Sequence, residues 1–357
     1  MSVPEANSFM KPPAARDSSP ASVMLHKDSV RQLAPIALFV YNRPEHTRRT
    51  VESLGANTLA PQSDLFVFSD AAKKESAAGA VEAVRKFTRT IDGFKSVTII
   101  ERERNFGLGA SVIAGATQLC EEFGRLIAVE DDLLTSPDFL GFMNCALDRY
   151  ADEPRVFSIS GFNFSVSPAE QYRYDAFCSY RSSSWGWGTW KDRWEKADWK
   201  VSDYPSFSRD KERKRSFNRG GEDLSDMLSL QMAGRLDSWA IRWAYAHWKH
   251  DAFALLPVST RVFNIGFDGS GVHCRAESFR QDLMTPSENS GYRLPNLVEI
   301  NSYFAGEVLR VNRRSRLRKI VTYMRRAIHA AGFFGPKLIP LAGARPTTTG
   351  KEARVIR

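Results

Sequence analysis

The sequence has few cysteines and no long apolar run. Its four cysteines, at positions 120, 145, 178 and 274 of 357 residues, share no short spacing, which argues against a zinc cluster, a redox pair or a disulfide-stapled secreted domain. The longest apolar runs, such as 36–41 and 252–258, are much shorter than the ~18 residues that a membrane span needs. The first 20 residues have no apolar core behind their basic side chains, so no secretory signal is expected. These absences predict a cytoplasmic protein.

The chain also has no net positive charge outside one segment. The chain has 50 Lys and Arg against 41 Asp and Glu, but residues 308–357 alone hold 13 basic residues and one acid. The remainder therefore carries a net charge of −3. A nucleic-acid enzyme would spread basic groups around its site, so this distribution argues against a nucleic-acid partner.

The order of apolar runs predicts the fold class. Short continuous runs at 36–41, 65–68, 97–100 and 126–129 are typical of buried parallel strands, and helical stretches near 45–57, 74–90 and 109–123 separate them. This alternation predicts a doubly wound α/β sheet. We expect a disordered leader at 1–34, an α/β half at 35–155, a second half of the same domain at 156–305 and a basic amphipathic segment at 306–357. All eight tryptophans lie within 182–250, which predicts an aromatic-rich subdomain.

Polar residues follow each predicted strand. The strand ends carry Asn42 and Arg43, then Asp70, then Asn105, and finally the triplet 130–132. Ligands of open α/β sheets bind beyond the carboxyl ends of the strands, so these residues predict a site. For Asn42 or Asn105 alone, a simple polar loop is the better interpretation.

The triplet Glu130-Asp131-Asp132 indicates a cation. Three adjacent carboxylates repel one another unless a cation or hydrogen-bond donors share their charge. Mg²⁺ or Mn²⁺ takes oxygen ligands and often only one or two from protein when phosphates supply the rest. A solvated acidic loop is the alternative, and the position after a buried strand favours the metal.

Other motifs are incomplete. Gly107-Leu-Gly109 precedes a helix, but Val112 stands where a dinucleotide-binding loop has its third glycine, which disfavours a nicotinamide enzyme. His247 and His250 have a metal-ligand spacing but no third ligand nearby. No G-x-S-x-G pattern supports a serine hydrolase.

Several segments resemble the GT-A glycosyltransferases, of the bacterial family 2-like type with some likeness to animal β-1,2-N-acetylglucosaminyltransferase I. They are ALFVYNRPEHTRRTVESL, the strand end at Asp70, NFGLGASVIAGA, VEDDLLTSPDFLGFM and WGWGTWKDRW, within residues 34–275. The resemblance implies a GT-A doubly wound mixed sheet and transfer of a hexosyl or N-acetylhexosaminyl group from a nucleoside diphosphate.

The resemblance also implies roles for individual residues. Asp132 would coordinate the divalent ion, Asp131 would contact the ribose, and Asp70 would bind the base. Glu130 would lie near the sugar or near Arg43. Asn42 and Asn105 belong to the same predicted donor site.

Two further positions are less well defined. Asp237 matches the base that deprotonates the acceptor in inverting relatives, with Glu222 and Asp223 as rivals and a helix N-terminal residue as the alternative. His273 lies in a glycine-dense segment that is predicted to order over the donor; it would contact the diphosphate or metal, or be an ordinary loop histidine.

The C-terminal segment allows two interpretations. Apolar residues repeat at helical spacing within 310–331 beside several arginines, as in a helix on an anionic membrane surface. A helix packed on the domain with solvated arginines is the alternative. Membrane contact would place the enzyme on the inner face of the membrane.

The sequence therefore predicts a metal-dependent, inverting glycosyltransferase that moves a sugar, from a UDP-sugar in our interpretation, to a saccharide or lipid-linked glycan in bacterial surface polysaccharide synthesis. A sugar nucleotidyltransferase and a non-enzymatic carbohydrate-binding or membrane scaffold protein are the alternatives.

Overall fold

The computed structural model describes residues 24–26, 32–268 and 291–313. The strands are β1 (Met24–His26), β2 (Ile36–Val40), β3 (Asp64–Ser69), β4 (Ser96–Glu101), β5 (Arg125–Glu130), β6 (Leu133–Thr135), β7 (Val156–Ser160), β8 (Ala176–Ser179), β9 (Trp187–Trp190), β10 (Phe253–Pro257), β11 (Val262–Asn264) and β12 (Gly291–Arg293). The α-helices are α1 (Pro44–Gly55), α2 (Ala78–Thr88), α3 (Leu108–Phe123), α4 (Phe139–Arg149), α5 (Lys191–Trp194), α6 (Tyr204–Phe207), α7 (Lys211–Phe217), α8 (Leu224–Met232), α9 (Trp239–Lys249) and α10 (Ser302–Val311).

Eight strands form one mixed sheet in the order β4-β3-β2-β5-β9-β7-β10-β8. The first four are mutually parallel, whereas β9 runs antiparallel to both β5 and β7. β10 is parallel to β7, and β8 is antiparallel to β10. The predicted doubly wound α/β sheet is confirmed, and the four strands and three helices predicted in the first half are present.

Both faces of the central strands are covered, which explains why β2, β3 and β5 contain continuous apolar runs. Along β2, Ile36, Leu38 and Val40 pack with α1, α2 and α4 on one face. Ala37 and Phe39 pack with α3, α5 and α9 on the other. The alternation follows from the two-residue period of a strand.

The tryptophan-rich region packs against the α3 face. The rings of Trp187, Trp194, Trp199, Trp239 and Trp243 contact one another, and all but the half-buried Trp199 are almost completely buried. Trp187, Trp194, Trp239 and Trp243 are therefore core residues and are not available to stack on glycans. Trp185 is half-buried, like Trp199, but lies apart from this group and contacts Phe162 and Phe267.

Two small antiparallel pairings lie outside the main sheet. β6 pairs with β11, and β1 pairs with β12. β1 therefore lies within the segment that the sequence predicts as a disordered leader. The basic segment from residue 314 onward lies outside the described residues.

Candidate active site at the carboxyl edge of the sheet

The acidic triplet lies at the point where the strand order of the sheet reverses. From β2 the chain builds outward through β3 to β4 on one side, whereas β5 joins β2 on the other side. Phe39 pairs with Glu130, so the residues after β2 and after β5 leave the sheet side by side. Such a switch point is where open α/β sheets bind ligands. The prediction that these two strand ends come together is confirmed.

Arg43 joins the two aspartates of the triplet. Its Nη2 donates hydrogen bonds to Oδ1 of Asp131 and, at 3.0 Å, to Oδ2 of Asp132. Both aspartates are buried and Glu130 is half-buried. Burial raises the pKa of Asp131 to about 6, with Arg43 opposing and Asp132 adding to the rise. Burial also raises the pKa of Glu130 to about 8, with help from Asp132 and Asp131. The single positive charge of Arg43 therefore does not balance the negative charges that the three acids can carry.

Helix α1 holds this group in place. The Thr50 hydroxyl donates to the Asp131 carbonyl at 2.9 Å, and the Thr47 hydroxyl donates to the Arg43 carbonyl at the same distance. Pro44 occupies the first position of α1, where its missing N–H costs no helical hydrogen bond. The polar residues of the TRRT segment therefore fix the backbone that carries the site.

Gly266 lies against the side chains of Asp132 and Arg43. The Ile265 amide donates to the Asp132 carbonyl at 2.9 Å, which brings the next residue against the carboxylate. A Cβ at position 266 would overlap Oδ2 of Asp132 and lie 3.1 Å from Nη1 of Arg43. Only glycine fits this approach of the backbone. Nη1 of Arg43 is buried and has no hydrogen-bond acceptor among the described residues.

Asp70 organises the loop before α3. Its carboxylate accepts from the Phe106 amide at 2.8 Å, the Gly107 amide at 2.9 Å and Nδ2 of Asn105 at 3.0 Å. The Asp70 amide in turn donates to the Val40 carbonyl at the end of β2. Asp70 and Asn105 thus hold each other at the same edge as the triplet. Binding of a nucleotide base by Asp70 stays a prediction, as does a donor contact of the half-buried Asn42.

Asp237 lies beside the N-terminal turn of α3. A Cβ at Gly109 would stand 2.7 Å from Oδ1 of Asp237 and 3.3 Å from Nη2 of Arg242. The exposed Asp237 and the half-buried Arg242 line a cavity of about 440 Å³ together with Phe106. The chain thus brings Asp237 next to the loop that Asp70 holds.

Glu222 and Asp223 lie elsewhere. Ser179, at the carboxyl end of β8, pairs with Ala254 near the beginning of β10, because the two strands are antiparallel. The residues after β8 therefore lie beyond the amino end of β10, whereas the triplet lies at the carboxyl end of β5. Asp223 forms a two-pronged ion pair with Arg181 just beyond this end, at 2.8 and 2.9 Å. This position makes Asp237 the better candidate for the base.

The two histidines of α9 have separate structural contacts. Buried His247 bonds to the Ser158 hydroxyl through Nε2 at 2.9 Å and to the Trp243 carbonyl through Nδ1 at 2.8 Å. Exposed His250 contacts the Lys196 carbonyl at 3.3 Å. Within residues 24–26, 32–268 and 291–313, no group of three or more His, Cys, Asp or Glu side chains is arranged to hold a metal ion. His273 lies outside the described residues.

The triplet nevertheless fits a divalent ion that shares its shell with a phosphate. Oδ1 of Asp132 receives no hydrogen bond from any described residue, and Mg²⁺ often uses one or two protein carboxylates beside substrate phosphates. Buried Nη1 of Arg43 is a donor suited to an anion beside such an ion. The residues present therefore suit a metal and diphosphate together better than a metal alone.

Sequence reasoning did not identify Gly266 or Arg242, because their importance depends on contacts with distant positions. The buried pair of Asp138 and Arg261, whose Nε donates to Oδ2 at 3.2 Å, was missed for the same reason. Asp138 lies in the SPDF part of a segment that carries the family resemblance, but no residue near it in the sequence indicates its partner. Among the described residues, no helix has the length and apolar character to cross a membrane.

No model of a known protein family matches the chain, and the sequence matches no curated protein. Among solved structures, mannosyltransferase PcManGT from Pyrobaculum calidifontis, in complex with GDP-Man and Mn²⁺, is similar over 49% of this chain and 49% of that one, with 12% identity and a TM-score of 0.35. TarS of S. aureus is similar over 47% of this chain and 30% of that one, with 12% identity and a TM-score of 0.32. A TarS fragment, residues 1-349, aligns over 65% and 60%, with 9% identity and a TM-score of 0.36. These likenesses are partial, so the function rests on the site itself.

Proposed function

We propose that this chain is a metal-dependent, inverting glycosyltransferase that moves a sugar from a nucleoside diphosphate, a UDP-sugar in our proposal, to a saccharide hydroxyl. The observation that carries the proposal is the buried pair Asp131 and Asp132, joined by Arg43 at the switch point of a doubly wound sheet. The motif resemblance over residues 34–275 supports the same function. The bacterial polysaccharide pathway and a peripheral membrane location remain predictions.

Each site residue has a separate role in this proposal. A divalent ion held through Asp132 would neutralise charge on the leaving diphosphate. Arg43 donates from buried nitrogens and so supplies a fixed positive charge beside the same phosphates. Asp131 and Asp70 position the nucleoside, directly or through the 105–107 loop. Asp237 accepts the proton of the acceptor hydroxyl as this attacks the sugar from the face opposite the leaving group.

Calorimetric titration tests the donor site. UDP, GDP and CMP are added with Mn²⁺ or with chelator to the unchanged protein, to Asp132→Asn and to Asp152→Asn, which alters an exposed aspartate. We expect one diphosphate to bind only with Mn²⁺, and Asp132→Asn to weaken binding at least about tenfold because it removes a charged oxygen ligand. Asp152→Asn should bind normally. Failure of every nucleotide to bind the folded protein would reject the proposal.

Asp237→Asn tests the base. The variant should bind the nucleotide with unchanged affinity but lose about 10²- to 10⁴-fold in transfer, which is the contribution typical of a general base. Transfer is measured once the donor is known, and NMR of the first-formed product reports the anomer. Near-normal turnover would exclude Asp237 as the base, and retention of configuration would exclude the inverting mechanism.

A further inference from the structure

The cavity beside Asp237 has the character of a sugar site. It is open to solvent, has a volume of about 440 Å³, and its lining includes Phe106, Ile113, Ala114, Gln231, Asp237 and Arg242. Small-molecule sites commonly combine an apolar wall with a few convergent polar groups and have volumes of this order. Here α3 supplies the aliphatic wall and the 37% exposed Phe106 supplies a ring. Gln231 of α8, Arg242 of α9 and Asp237 of the loop between these helices supply the polar groups.

Arg242 is held rigidly with one nitrogen free. Its Nε donates to the Ser238 carbonyl at 3.4 Å and its Nη1 donates to the Trp199 carbonyl at 3.2 Å. Nη2 points toward Gly109 and has no hydrogen-bond acceptor among the described residues. Two carbonyls thus orient the guanidinium of this cavity-lining residue and leave Nη2, beside Gly109, without an acceptor among the described residues.

Three arginines lie at or beside this cavity, together with Asp237 and with Asp70, which accepts from the Phe106 amide. The guanidinium groups of Arg102 and Arg104 lie 4.1 and 5.5 Å from the centre of the Phe106 ring, and Arg242 lines the same cavity. Among the described residues that line it, Asp237 is the one acid. Burial lowers the pKa of Arg242, with Asp237 opposing, as expected for a guanidinium that lacks a full counter-charge.

We propose that this cavity binds the acceptor and selects a sugar that carries an acidic group, a carboxylate or a phosphate, which Nη2 of Arg242 binds. The inference rests on the proposed function for its acceptor. In this arrangement Asp237 faces the hydroxyl, Arg242 faces the acidic group, and the Phe106 ring covers a C–H face of the sugar.

Binding of three simple probes tests the selectivity. Glucose, glucuronate and glucose 6-phosphate are compared by saturation-transfer NMR and titration on the full chain. We expect one or both acidic sugars to bind about tenfold or more tightly than glucose, the range that a charge-assisted hydrogen bond supplies. The two acidic probes distinguish a carboxylate from a phosphate. Equal binding of all three, or binding of none, would overturn the proposal.

Arg242→Gln removes the charge and keeps a donor. It should bind the acidic probes no better than glucose, while Arg209→Gln, at an exposed arginine, keeps the preference. An unchanged preference in Arg242→Gln would overturn the proposal.

Nucleotide titration separates this proposal from the proposed function. Arg242→Gln should bind UDP with Mn²⁺ as the unchanged protein does, and UDP should not displace the acidic probe. Displacement of the probe by UDP would mean that the cavity holds the nucleotide, which overturns the acceptor assignment but keeps the donor site. If the unchanged protein bound no nucleotide, the proposed function itself would be rejected.

Discussion

Gly266 lies where a single methyl group would collide with the carboxylate of Asp132. A side chain there would force Asp132 and Arg43 apart or push the 264–268 backbone away from β6. We expect Gly266→Ala to weaken binding of the metal–diphosphate pair at least about tenfold and to destabilise the fold by about 1–3 kcal/mol, the usual cost of overpacking. Titration and urea unfolding measure the two effects.

Gly79→Ala is the matched control, because nothing lies within 4 Å of the Cβ it adds. It lies in α2, where alanine is the better helix former, so its stability should not fall. If Gly266→Ala behaved like Gly79→Ala in both measurements, the close approach at Asp132 would have no consequence for the site.

Individual site residues differ in how far sequence could predict them. The triplet and Arg43 follow apolar runs directly, so their position at one sheet edge follows from the parallel order of the strands. Gly266 depends on its contact with Asp132, and Arg242 on its contacts with Trp199 and Gly109, all of which are distant in sequence. No local pattern encodes such contacts, and glycine is common in loops that approach no ligand at all.

Among the elements, the β6–β11 ribbon connects the triplet to the segment around Gly266. The buried pair of Asp138 and Arg261 supports it, since Asp138 begins α4 and Arg261 directly precedes β11. The Ser136 hydroxyl donates to the same carboxylate at 2.6 Å. Asp138→Asn leaves the buried guanidinium without a counter-charge and should destabilise the protein by about 3–5 kcal/mol in urea unfolding.

Glu212→Gln serves as the surface control, because its ion pair with Arg215 is exposed on both sides and should contribute less than about 1 kcal/mol. The double variant Asp138→Asn with Arg261→Gln should be less destabilised than the sum of the single variants, since the two groups interact. Simple additivity would show that the pair does not act as a unit.

The elements of the two halves were not equally predictable. The first half alternates strands and helices, and each strand is a continuous apolar run bounded by polar loops. In the second half β8 and β9 have only four residues each, and their antiparallel directions depend on pairing with β10 and β5. Short strands of this kind leave no periodicity, so sequence could predict only an aromatic-rich region there.

For the whole molecule, the packed tryptophans join α5 and α9 to the α3 face of the sheet. His247 lies within this layer and is stacked edge-on against Trp243. Because its Nδ1 faces a carbonyl, that nitrogen carries the proton of the neutral ring, and Nε2 accepts from the Ser158 hydroxyl. Protonation of Nε2 would reverse the direction of the second hydrogen bond and place a positive charge inside an apolar layer.

The contribution of His247 to stability should therefore fall in mild acid. Burial lowers the pKa of His247 from 6.5 to about 4, with the Trp243 carbonyl opposing. Between these two values the unfolded chain binds a proton at this side chain that the folded chain does not, so the contribution of His247 to the free energy of unfolding decreases as the pH falls from about 6.5 to about 4 and changes no further below that. The raised pKa values of Glu130 and Asp131 act in the opposite direction, so the contribution of His247 is measured as a difference between variants. The shift corresponds to roughly 3 kcal/mol. The difference in the free energy of unfolding between the unchanged protein and His247→Gln should decrease as the pH falls over this range in urea unfolding, whereas the difference for His250→Gln, at an exposed side chain, should stay constant. The same slope in all three proteins would mean that His247 does not couple folding to protons.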